Sequence, residues 1–102
     1  KLFNLKKPFT NNFDVIIVDI FTGNAPFVDV KSNESQFVQR VLKVLKKDGM
    51  IIFNRPAHKE DLREGSLKLK EYLSKYFKET EIFDIKDPRG YRNNILMATQ
   101  KK

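Results

Sequence analysis

The sequence predicts an α/β domain whose largely parallel sheet closes on an antiparallel hairpin. Three observations carry that reading. Val15, Ile16, Ile17 and Val18 form an unbroken β-branched run, the mark of a strand buried on both faces of a parallel sheet. An apolar stripe at helical spacing follows, and then a second short apolar run over 50–53, which is the order of a βαβ unit. Near the end, two apolar segments flank Asp87-Pro88-Arg89-Gly90, a turn signal.

Residues 1–12 are polar. Pro8 interrupts any helix there, and Thr10-Asn11-Asn12 reads as a turn, so the segment is expected to be the tail of an upstream element. The chain opens on Lys1 rather than Met, and the expectation is a processed or excised piece, or a chain whose true start lies upstream. A strand is predicted over 14–20 and a long loop over 21–33; loops of that length are often functional. The helix expected over 34–47 has Ser32 or Asn33 as its cap and Gln36 at capping-box spacing. Phe37, Val38, Val41, Leu42, Val44 and Leu45 form its apolar stripe, with Gln39, Arg40, Lys43, Lys46 and Lys47 facing away. Asp48-Gly49 ends it, Gly49 being able to take a left-handed conformation.

The second strand, 50–53, leads to Asn54-Arg55-Pro56. A helix over 62–77 follows, with Asp61 and Glu64 fitting an N-cap and its partner and Leu62, Leu69, Tyr72, Leu73, Tyr76 and Phe77 as its stripe. Leu73 is expected to share one core with the first strand. The hairpin strands are predicted over 79–86, with Ile82 and Ile85 on one side and Phe83 opposite, and over 94–99.

At 102 residues the chain reads as one domain with a modest core, and at 40% hydrophobic it is too apolar to be disordered. Cysteine is absent, which excludes a disulfide framework, a thiolate nucleophile and a cysteine metal site and is compatible with a cytoplasmic protein. No apolar run approaches the roughly 20 residues of a membrane span, and no signal peptide is visible. The net charge of +7 invites a nucleic-acid partner, but the lysines are spread over helices and both ends with no arginine-rich block, so solvated helix faces account for most of it.

Ligands of open parallel sheets bind outside the carboxyl ends of the strands. Asp19 falls at that edge, and Asn54 falls beside it. Asp19 is therefore a candidate for chemistry, against the plainer reading that it ends the strand by bonding its own loop. His58, in the loop after the second strand, has the right ionisation range for a base, yet a lone loop histidine beside Lys59 reads as surface. With one histidine and no cysteine, no metal site is expected.

The order strand, helix, strand, helix, strand, strand is similar to the carboxyl-terminal half of a Rossmann-like S-adenosylmethionine-dependent methyltransferase. The segment FDVIIVDIFTGNAP over 13–26 resembles the piece after strand four in the spermidine synthase-like branch. SQFVQRVLKVLKKDGMIIFN resembles the helix, glycine turn and fifth strand that follow. The likeness covers about 13–100. It implies the sheet order first, second, fourth, third strand, a methyl acceptor that is a small molecule or of unknown kind, Asp19 as a catalytic residue, Ala25 and Pro26 beside the cofactor, and Thr22 and Asn54 at the substrate. The family's glycine-rich loop and ribose-binding acid are missing from this chain, so the isolated chain is expected to be inactive and to bind the cofactor weakly or not at all. Thr22 stands where aminopropyltransferases carry a second Asp, which favours methyl transfer over polyamine synthesis. The competing readings are an aminopropyltransferase half and a non-catalytic basic module for RNA or protein. The resemblance also leaves the first strand at an open edge, where a homodimer is expected.

Overall fold

A computed structural model describes residues 12–19 and 33–102. The elements run β1 (Phe13–Asp19), α1 (Asn33–Val44), β2 (Leu45–Pro56), α2 (Glu60–Leu73), β3 (Phe77–Lys86) and β4 (Arg92–Lys101). β1 lies parallel to β2, while β4 is antiparallel to both β2 and β3, giving the order β1-β2-β4-β3. This is the α/β half-sheet with a terminal hairpin that the sequence predicts. No helix among the described residues is long and apolar enough to cross a membrane.

One face of the sheet makes the core. Ile16 and Val18 of β1, Ile51 and Phe53 of β2, and Leu96 and Ala98 of β4 pack with Val38, Val41 and Val44 of α1 and Leu69, Tyr72 and Leu73 of α2. Leu73 is fully buried in the same cluster as Ile16 and Val18, as expected. The hydroxyl of Tyr72 accepts a 2.7 Å hydrogen bond from Gln39 Nε2, so Gln39 ties the two helices together rather than facing away. Burial of the Tyr72 phenol pushes its pKa up.

The other face is bare among the described residues, which corrects the expectation of a strand buried on both sides. Val15 is 49% and Ile17 60% exposed, because both helices pack on the opposite face. On β3 the alternation sends Phe83 and Ile85 together to the bare face and half-buries Ile82 on the covered one, so Phe83 opposes Ile82 and not Ile85.

α1 is shorter than predicted. Leu45 leaves the helix to pair with Phe13, and Lys46 and Lys47 belong to β2, whose pairing with β1 is irregular until Val15 meets Met50. Gly49 is therefore not a left-handed helix cap: among the described residues the one glycine with positive φ is Gly90. A Cβ at Gly49 would fall 2.7 Å from Leu45 Cδ1 and 2.9 Å from the Asp14 carbonyl oxygen, so close approach demands glycine there. α2 begins earlier and ends earlier than predicted. Lys59, without a side-chain bond, is its N-cap, and Asp61 lies in the first turn, where its charge meets the helix dipole. Ser74 closes it, and Phe77 pairs with Lys101 instead of extending the helix.

Candidate functional site at the carboxyl edge of the sheet

Parallel pairing aligns Asp19 with Asn54 at the ends of β1 and β2. Asn54 Nδ2 donates to Asp19 Oδ1 at 3.4 Å, and Asn54 Oδ1 accepts from Asn93 Nδ2 of β4 at 2.8 Å. The carboxylate can only accept, so it fixes the orientation of the Asn54 amide and leaves its oxygen for Asn93. The result is a polar ladder across three strands on the bare face. Asp19 is exposed at its end, with acceptor capacity left for a ligand.

Beside the ladder opens a cavity of about 400 Å³, lined by Asn54, Ile85, Asp87, Arg89, Tyr91, Asn93 and Ile95. Its outer wall is the hairpin turn. Asp87 Oδ1 accepts the amide hydrogens of Arg89 and Tyr91 at 2.9 and 3.0 Å, and Gly90 takes φ of 95° to let the chain turn. The Arg89 guanidinium pairs with Asp87 at 3.0 Å and lies 5.1 Å from the centre of the Tyr91 ring. The cavity thus offers an aromatic face, aliphatic walls from Ile85 and Ile95 and two carboxamides, a combination suited to a small amphipathic molecule.

Beneath the ladder, on the covered face, a buried guanidinium sets the edge. Arg55 donates to Glu34 at 2.9 and 3.1 Å, to Ser66 Oγ at 2.6 Å and to the Leu62 carbonyl at 3.2 Å. It joins β2 to the first turns of both helices. On the hairpin, Arg92 and Asn94 donate to Asp84, and the Arg92 hydrogen bond holds the Asp84 carboxyl below its ordinary range.

Of the residues the sequence singles out, Asp19 and Asn54 are brought together. Thr22, Ala25 and Pro26 lie outside the described residues. His58 is exposed after β2 and takes no part in the ladder. Sequence reasoning missed Asn93, Tyr91 and Arg89, whose place depends on hairpin register. It also missed Arg55, although Arg55 shares the two-residue phase of Ile51 and Phe53 and is thereby marked as pointing into the core.

Among known proteins the fold has a counterpart. The chain is similar to the O-methyltransferase TomG from Streptomyces achromogenes, involved in tomaymycin synthesis and solved in complex with SAM, at 17% sequence identity and a TM-score of 0.56. The match covers 94% of this chain and 44% of that one, so the chain spans less than half the length of its structural neighbour. The likeness shows the fold alone: the chain has the architecture of part of a Rossmann-like methyltransferase sheet. No family model and no curated protein matches the sequence.

Proposed function

We propose that this chain forms the acceptor side of an S-adenosylmethionine-dependent methyltransferase site whose cofactor side is built by residues outside it. The observation that carries the reading is the Asp19–Asn54–Asn93 ladder at the carboxyl edge, beside an open cavity, on a methyltransferase-like fold. Among the described residues the fit is to the acceptor half. Gly49, Gly65 and Gly90 lie in β2, α2 and the hairpin turn, and none belongs to a glycine-rich turn that would let a backbone approach the cofactor.

A bound sulfonium cofactor supplies an electrophilic methyl group. On this chain, Asp19 accepts the proton of an acceptor hydroxyl or amine as that group becomes a nucleophile, a role worth roughly 10²–10⁴-fold in rate. Asn54 holds the carboxylate from one side, and Asn93 holds Asn54. Tyr91, Ile85 and Ile95 take the body of a small acceptor. Thr22 is assigned to the same acceptor, and Ala25 and Pro26 to the cofactor, by resemblance.

By resemblance alone, the motif over 13–26 is read as that of the spermidine synthase-like branch, and a cysteine-free chain is compatible with a cytoplasmic setting. Aminopropyl transfer is the second reading, favoured by Asp19 at the first acid of that motif and disfavoured by Thr22 at the second. Product analysis with decarboxylated cofactor separates the two.

The test joins this chain to an upstream segment bearing a strand and G-x-G-x-G, and measures labelled methyl transfer. Asp19→Asn is expected to lower turnover by at least about 10²-fold with an unchanged melting midpoint. Equal turnover removes Asp19 from the site. Calorimetric titration of the isolated chain with S-adenosylmethionine is expected to show no tight binding, and micromolar affinity overturns the division into two halves.

A further inference from the structure

The charge of the described residues is sorted between the two edges of the sheet. At the carboxyl edge, Asp19, Glu34, Glu60, Asp61, Asp84 and Asp87 stand one for one against Arg55, Lys59, Arg63, Lys86, Arg89 and Arg92. Several are locked in pairs: Arg55 with Glu34, Arg89 with Asp87, Arg92 with Asp84. The amino edge gathers the ends of α1, α2 and β4 with the starts of β1, β2 and β3. There Lys43, Lys46, Lys47, Lys70, Lys75, Lys78, Lys101 and Lys102 outnumber Asp14, Asp48, Glu71 and Glu79 two to one among the described residues.

Some of these lysines have internal work. Lys46 pairs with Asp14 at 3.1 Å, Lys101 donates to the Leu42 and Leu45 carbonyls at the end of α1, and Lys75 lies over the Tyr72 ring. Attraction of cations to helix carboxyl ends accounts for Lys43 and Lys75. It does not account for Lys47, in the irregular start of β2, for Lys78 on β3, or for Lys102 directly after β4. Lys43, Lys47, Lys78 and Lys102 are all exposed.

We propose that this amino edge is a docking surface for the phosphate backbone of a nucleic acid. Four strands at about 4.8 Å spacing make an edge roughly 15 Å across, enough to meet several phosphates of a single strand. The cations are lysines throughout, which act as point charges toward phosphate and read no base, so binding is independent of sequence. An anionic bilayer is held by basic residues together with apolar side chains that enter it. Among the described residues the exposed large apolar side chains lie elsewhere: Val15, Ile17, Phe83 and Ile85 on the bare face, Leu67 on α2 and Tyr91 at the opposite edge. The surface is at the far end of the strands from Asp19, so a nucleic acid held there is an anchor rather than the group acted on. The proposal stands whether or not the chain serves methyl transfer.

The test is fluorescence anisotropy of a labelled single-stranded oligouridylate with the full chain. Binding is expected, and it should weaken steeply as salt rises. The combined variant Lys43→Gln, Lys47→Gln, Lys78→Gln, Lys102→Gln should lose at least about tenfold in affinity at low salt. The charge-matched variant Arg40→Gln, Lys59→Gln, Lys68→Gln, Lys86→Gln should bind nearly as the parent does. Circular dichroism checks that both are folded; if the first is not, Lys78→Gln with Lys102→Gln alone should still weaken binding more than Lys59→Gln with Lys86→Gln. Equal losses in the two sets show that affinity follows net charge and overturn the surface. Absence of RNA binding overturns it too, as does binding to phosphatidylserine vesicles alone.

Discussion

Arg55 closes on Glu34 through two parallel hydrogen bonds, Nε to Oε2 at 2.9 Å and Nη2 to Oε1 at 3.1 Å, and its side chain is only 7% exposed. A fork-to-fork contact of this kind fixes direction as well as distance. It pins the first turn of α1 to the end of β2, two positions after Phe53 and directly after Asn54. The ladder above and the core below therefore share one anchor.

Removing one partner of such a pair strands a buried charge. Arg55→Ala also removes the donor that Ser66 Oγ accepts from and one of the two side-chain donors to the Leu62 carbonyl, which keeps Ser66 Oγ, and it is expected to cost about 3–5 kcal/mol. Glu34→Gln keeps the size and one acceptor and should cost clearly less. Urea denaturation measures both. A loss for Arg55→Ala within about 0.5 kcal/mol would show that the pair does not hold the edge.

The order of the sheet was legible because each connection announces itself: a βαβ unit between β1 and β2, a turn at Asp87–Gly90, and apolar segments on either side of it. Asp19 and Asn54 were legible as a pair because parallel strands end at one edge. The bare face was not. A β-branched run such as Val15–Val18 shows that a strand forms, while the number of layers packed on it depends on chain elsewhere. Asn93 and Tyr91 needed the register of β4 against β2 and β3, which a turn signal alone does not set to the residue. Arg55 is legible in phase, but an arginine at a core position makes sense only with Glu34 and Ser66 around it.

Gly49 gives a sharper test of the irregular start of β2. Alanine there places its Cβ 2.7 Å from Leu45 Cδ1, 2.8 Å from Leu45 Cγ and 2.9 Å from the Asp14 carbonyl oxygen. Leu45 is fully buried, and the Asp14 carbonyl is backbone held between the pairings of Phe13 and Val15, so neither neighbour yields freely. Gly49→Ala is expected to destabilise by about 1–3 kcal/mol, as overpacking does. A helix-cap glycine would instead show strain from φ, and here φ is not positive. A stabilising alanine would overturn the close approach.

The hairpin carries a pH signature. Asp84 accepts from Arg92 Nε at 2.8 Å and Nη2 at 2.6 Å, and that hydrogen bonding holds its folded-state pKa below the ordinary 3.8. A carboxyl with a lowered folded value binds protons more readily in the unfolded chain. Its contribution is therefore present above the ordinary value and fades as pH falls through the folded one. Asp84→Asn should lower the melting midpoint at neutral pH and converge on the parent in strong acid. A gap between the two proteins that stays constant with pH would mean that the ion pair at Arg92 adds nothing to stability.

The edge of β1 sets the last expectation. Among the described residues β1 pairs on one side only, with β2, and the run Val15–Val18 has neither Lys nor Pro within it to discourage another strand. The bare face continues from that edge through Val15 and Ile17, so the same association would cover backbone and apolar side chains together. Two copies are expected to meet through β1 about a two-fold axis, which makes the paired strands antiparallel. Light scattering over rising concentration should show a dimer. Ile17→Lys places a charge on the edge strand without touching the core, and it should shift the equilibrium to monomer with little change in circular dichroism. If the parent is monomeric at every concentration, slow amide exchange along β1 would assign its cover to this chain's own residues, and fast exchange would show the edge to be open; either result rejects the dimer.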